Sequence, residues 1–187
     1  MKGGNCLIVD RFLSLSCAKK VINCWKRFQY NEICKKKEGI NMFTEDHIFL
    51  KIPGKNQKEV LRSLAKLAFQ LGVVSSTDDL LQDYLDREQE STTGFGWGVS
   101  IPHTKSDDVL RASVLFGRTE QPIEWHSLDG DPVNTIISLL VPASESDEHL
   151  HLLAALSRKL SHPDFVQQLK TGSRKEIYQL ISQTIGE

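Results

Sequence analysis

Of the six histidines in this chain, His103 has the setting best suited to chemistry. It follows Pro102, which restricts the backbone leading into it, and it closes an extended run in which Gly94, Gly96 and Gly98 leave room for a second chain to approach. Imidazole titrates near neutral pH, so the neutral ring can act as nucleophile or base. The commoner occupant of such a position is a hydrogen-bonded structural histidine, and spacing alone does not separate the two. The alternating glycines are not a nucleotide-binding fingerprint, because they lie within an extended run and do not open a helix.

His149 and His151 do not act as a pair. Residues two apart on a helix point to different sides, whereas positions 149, 152, 153, 156 and 160 form one stripe. His149 therefore heads an inward face with Leu152, Leu153, Leu156 and Leu160, while His151 points away with Arg158. His103, His126, His149, His151 and His162 contain no pair at the spacing of a zinc motif, and no cysteine follows Cys34, so no metal is expected.

The elements that must position these side chains follow from periodicity. Val60, Leu61, Leu64, Leu67, Ala68 and Leu71 predict an amphipathic helix over 57–71, stopped by Gly72. A second helix begins near Asp78, capped by Ser76 or Thr77, with Leu80, Leu81, Tyr84 and Leu85 inward and Arg87 near its end. From Gly94 to His103 large apolar residues hold the odd positions, which predicts strand or extended chain. Leu110, Ala112, Val114 and Phe116 alternate again, and the apolar run Val133–Val141 reads as a strand buried on both faces. Helices follow, opened by Ser146, by Ser161 before Pro163, and by Ser173. The fold class is α/β (α+β): a single-domain sandwich of a small mixed sheet flanked by helices.

With 187 residues, 40% hydrophobic and 25% charged, the composition is that of a globular chain. The longest uncharged stretches, Ser91–Thr104 and Pro132–Ser144, are shorter than the roughly 20 apolar residues of a membrane helix. The net charge of -1 is unevenly spread. Residues 1–41 carry about +6 and all four cysteines (Cys6, Cys17, Cys24, Cys34), leaving about -7 for residues 42–187. Met42 stands at the break. Residues 1–41 are therefore expected to lie outside the folded domain, as an extension without specific function or an upstream start; binding of nucleic acid or an anionic surface is the other reading of their charge. A domain without cysteines suits a reducing cytosol, and Asp10 and Arg11 interrupt the only run that could serve as a secretory core.

Taken together, the segments resemble the IIA components of the bacterial phosphoenolpyruvate-dependent sugar phosphotransferase system, in the fructose and mannitol class. The likeness lies in Asp86-Arg87-Glu88, Ser91–Gly96, Gly98–Asp107, Ser127–Pro132, Val141-Pro142-Ala143 and Asp147–Leu153, and spans about 42–185. It implies a small mixed sheet covered by helices and a phosphoryl relay. His103 would take a phosphoryl group from the phosphohistidine of HPr and pass it to a cysteine of a IIB domain, with a membrane IIC served indirectly. Arg87 would supply positive charge, and His149 a second ring N–H at the site. No cofactor, metal or nucleic acid is implied, and the location would be cytoplasmic. Phe95, Trp97, Val99 and Ile101 read as core on the inner sheet face, with Trp97 alternatively exposed on a docking surface. The rival function is a regulator resembling the nitrogen-type IIA proteins, in which the charge of phosphorylated His103 is itself the signal.

Overall fold

The computed structural model describes residues 42–144 and 146–186, and the side-chain surroundings of all of these except 146–150. The basic, cysteine-bearing segment 1–41 lies outside the described residues. After a 3-10 turn at Glu45–His47, strand β1 (Ile48–Ile52) leads into helix α1 (Gln57–Gln70). Asn56 caps α1 by accepting from the Glu59 N–H, and the predicted stripe of Val60, Leu61, Leu64 and Ala68 is buried. Gly72, at φ 66°, takes the left-handed conformation that ends the turn. Helix α2 (Thr77–Glu90) is capped by Ser76 and buries Leu80, Leu81 and Tyr84.

Between α2 and the central strands the chain departs from the expected single extended run. It forms a hairpin of β2 (Gly94–Gly96) and β3 (Val99–Ser100), paired antiparallel. The two intervening residues, Trp97 and Gly98, have φ values of 58° and 72°, the positive-φ pair that matches the twist of a two-residue hairpin. Alternating apolar residues specify extended backbone but not where it reverses, and tryptophan at the first turn position hides the usual Asn-Gly signature. Gly94 is required for a different reason: a Cβ there would come within 2.7 Å of Ser127 Cα.

Strands β4 (His103–Ser106), β5 (Ser113–Ile123) and β6 (Val133–Pro142) complete one mixed sheet. Its order is β1-β5-β6-β3-β2, and β4 also pairs with β6. Val99 lies opposite Thr135 and His103 opposite Leu139, so β3 and β4 are two pieces of one strand running parallel to β6. The piece between them is Ile101-Pro102. Proline has no N–H for the ladder, and the Pro102 carbonyl alone bridges to the Leu139 N–H, at 3.0 Å.

Three helices follow: α3 (Ser146–Leu160), α4 (Pro163–Thr171) and α5 (Arg174–Ile185). Ser161 does not open α4 as expected. His162 holds the cap position without a side-chain bond, Pro163 begins the helix, and the Ser161 hydroxyl donates to the Ser157 carbonyl at 3.2 Å. At α5 the expected cap is complete, with Ser173 and Glu176 forming a reciprocal capping box.

The sheet separates two apolar layers. Ile52, Leu115, Ile136 and Leu140 pack with α1 and α2, together with Trp125 and Tyr84. Ile48, Val114, Phe116, Ile137, Leu139 and Val141 pack with α3, α4 and α5. Adjacent residues of β6 thus serve opposite layers, which is why the run reads as continuously apolar. Leu152, Leu156 and Leu160 are buried and His151 is exposed, as the stripe on α3 requires.

Candidate active site

Arg87 and His103 meet although 16 residues separate them. Arg87 lies in the last turn of α2, and Tyr84, three residues earlier, anchors that helix to the sheet through a buried hydroxyl pair with Ser138 at 2.5 Å. Ser138 directly precedes Leu139, the register partner of His103. The helix end is thereby set over the start of β4.

Arg87 Nε–H donates to His103 Nε2 at 2.9 Å, and His103 Nδ1 lies 2.7 Å from the Ile101 carbonyl. A carbonyl only accepts, so the proton sits on Nδ1; Nε2 then carries the lone pair that receives Arg87. The break at Ile101-Pro102 makes this possible, since the Ile101 carbonyl is turned to the ring and not to the ladder. Ile101 N–H is held in turn by the Thr93 carbonyl at 2.9 Å.

His103 is half-buried. It begins a strand that pairs with central β6 and is covered by the end of α2. Burial is the main influence holding its pKa below the ordinary 6.5; the Ile101 carbonyl opposes it, nearby Arg87 reinforces it and Glu90 weakly opposes it. A neutral ring with Nδ1–H and a basic Nε2 follows at neutral pH. Arg87, whose side chain is 28% exposed, also donates from Nη1 to the Ser91 carbonyl at 3.0 Å.

Two contributors carried no role in the sequence reading. Glu88 accepts from Thr93 N–H at 2.9 Å and from the Thr93 hydroxyl at 2.6 Å. Asp129 accepts from the Trp97 N–H at 2.6 Å, pinning the hairpin turn, and Asp131 N–H donates to its other oxygen. A signal for Glu88 was present: a carboxylate in the last turn of a helix stands at the wrong end of the helix dipole and needs another reason to be there.

His149 lies near the start of α3, which begins shortly after β6 ends beside Ser106 of β4. Its side chain is outside what the structure describes. Trp97 is not core, as first expected, but 53% exposed at the hairpin tip. The predicted inward face keeps only Val99 and Ile101 fully, with Phe95 half-buried. Among the described residues no group of three or more His, Cys, Asp or Glu is gathered as for a metal ion, and no helix is long and apolar enough to cross a membrane.

The family model described as "Phosphoenolpyruvate-dependent sugar phosphotransferase system, EIIA 2" matches residues 41–184. The chain belongs to that family. It is 39% identical over 142 residues to the fructose-like EIIA component of Escherichia coli (strain K12), covering 76% of this chain and 96% of the relative. The crystal structure of the nitrogen regulatory protein IIA-Ntr from Neisseria meningitidis superposes with a TM-score of 0.70 at 30% identity, covering 75% of this chain and 96% of that one. The mannitol IIA enzyme of Escherichia coli, solved in complex with phosphorylated mannitol IIB, shares the fold with a TM-score of 0.63 at 22% identity, over 79% of this chain and 98% of that one. Resemblance and fold class thus agree with the EIIA assignment, and EIIA components are phosphotransfer proteins of this system. The fructose and nitrogen branches both stand among the relatives.

Proposed function

We propose that residues 42–187 form a cytoplasmic phosphoryl relay in which His103 Nε2 takes a phosphoryl group from the phosphohistidine of HPr and passes it to a cysteine of a IIB domain, for uptake of fructose or a related sugar. The observation that carries the reading is the pair of hydrogen bonds on the His103 ring, Nδ1–H to Ile101 and Nε2 from Arg87. In acceptance, the P–N bond of the donor breaks as the Nε2–P bond forms, and Arg87 moves from Nε2 to the equatorial phosphoryl oxygens. A planar guanidinium suits the charge spread over those oxygens in a loose transition state. The Nδ1 proton stays in place. The phosphorylated ring is then cationic, with the Ile101 carbonyl stabilising that charge, and the P–N bond remains labile for transfer to a thiolate. His149 is proposed to donate a ring N–H at the same site, and residues 1–41 to stand apart from the relay domain. A membrane IIC enters only through IIB, and neither cofactor nor nucleic acid has a part.

The test is incubation with phosphoenolpyruvate, enzyme I and HPr, followed by intact mass and peptide mapping for acid-labile phosphate. Label on His103 that moves to a fructose-class IIB cysteine is expected; no label would remove the reading. The likeness to IIA-Ntr supports a second reading, a regulator whose partners sense phosphorylated His103. Label on His103 that no IIB accepts would favour it.

A further inference from the structure

Glu88 follows Arg87 in the last turn of α2 and binds the segment that leads on toward His103. Its Oε1 accepts from Thr93 N–H and its Oε2 from the Thr93 hydroxyl, while the Thr92 hydroxyl lies 3.2 Å from both Oε1 and the Trp125 carbonyl. The Thr93 hydroxyl oxygen in turn accepts from Nε1–H of the fully buried Trp125, at 3.2 Å. The short turn 91–93 is therefore gripped by one carboxylate and tied to the core.

Both site residues hang from that turn. The Ser91 carbonyl takes Arg87 Nη1–H and so aims Nε at the imidazole. The Thr93 carbonyl takes Ile101 N–H, and the Ile101 carbonyl takes His103 Nδ1. We infer that Glu88 is a positioning residue for the Arg87–His103 pair, setting the direction of the guanidinium and the tautomer of the ring through the turn at 91–93. The inference rests on the relay reading for what the pair does, though not for how it is held.

The test uses the full chain carrying Glu88→Gln. An amide keeps the size and one acceptor for Thr93 N–H, but it carries no charge and meets the Thr93 hydroxyl with N–H donors, so the charge-assisted bond from that hydroxyl is lost and the grip weakens. Nitrogen-15 NMR of the His103 ring is expected to change from one Nδ1–H tautomer to a mixture, with loss of a protected Arg87 Nε–H signal. Acceptance from phospho-HPr is expected to fall tenfold to a hundredfold, roughly the cost of a small misplacement of reacting groups. In an Arg87→Ala background the same substitution should cost less than about threefold, because coupled groups are not additive. An unchanged tautomer and Arg87 signal in a folded variant, or full additivity with Arg87→Ala, overturns the inference. Should Glu88→Gln fail to fold, Thr93→Val removes only the hydroxyl; a wild-type ring spectrum in that variant overturns the inference equally. Failure of wild-type labelling would sink the relay reading and leave the NMR result readable.

Discussion

The hairpin segment 91–103 has two ends of opposite character. At the His103 end, the described polar groups run in an unbroken chain, from Trp125 through Thr93 and Glu88 and through Ile101 to the imidazole and Arg87. At the tip, a tryptophan sits in left-handed backbone with half its surface in water, its N–H held by Asp129 of the turn that also carries Leu128, 74% exposed. Four register positions on β6, about 13 Å at 3.3 Å per residue, separate Val99 from His103, and the tip lies beyond Val99. The difference teaches that a conspicuous exposed aromatic can stand apart from the most tightly ordered polar groups, which here gather around a half-buried imidazole.

The contrast can be broken most forcefully at its ordered end. His103→Ala should abolish phosphoryl acceptance, and a variant still labelled after incubation with phospho-HPr would contradict the site outright. Arg87→Ala should lower acceptance about a hundredfold to a thousandfold, as expected when a preorganised donor is removed, and should also raise the His103 pKa. Stopped-flow rates and an NMR titration check the two halves of that statement.

A smaller effect follows from pH. Burial first, then Arg87, hold His103 below 6.5, and burial first, then Arg111, do so for His47; backbone carbonyls and acidic neighbours oppose in both cases. Between the folded and unfolded values the unfolded chain binds more protons, so stability is full above about pH 6.5 and declines as pH falls through the lowered folded values. Acceptance should accordingly persist below pH 6.5, where a free imidazole is already protonated. A midpoint at or above 6.5 in either denaturation or rate would reverse the assignment.

The smallest effect is expected at the tip. Trp97→Asn, a residue tolerant of positive φ, should change stability by less than about 1 kcal/mol and leave acceptance unchanged. A marked loss of transfer rate without loss of stability would place the tip in the docking surface and narrow the contrast.

Much of this was legible before any fold was known. Helices α1, α2 and α5 carry their stripes and caps in contiguous residues, so local periodicity sufficed, with boundary errors of one residue at the end of α1 and at the start of α2. The doubly buried β6 announced itself by its unbroken apolar run. What stayed hidden was non-local. The reversal at Trp97-Gly98 depends on an Asp129 carboxylate 32 residues away, and the burial of His103 depends on where α2 ends. Glu88 offered only its unfavourable place at a helix C-terminus, a clue without a partner.

By itself the sequence determined the residue types, their spacing on each element, and a motif set specific enough to point to the EIIA family, because these are properties of contiguous stretches. Only the tertiary structure decided that Arg87 donates to His103 Nε2, that the Ile101 carbonyl holds Nδ1–H, and that Trp97 faces water. Each of those rests on hydrogen bonds and burial between chain segments whose distance in space no periodicity encodes, and hydrogen-bond direction, which decides the ring nitrogen that carries the proton, exists only once the donors and acceptors have been brought face to face.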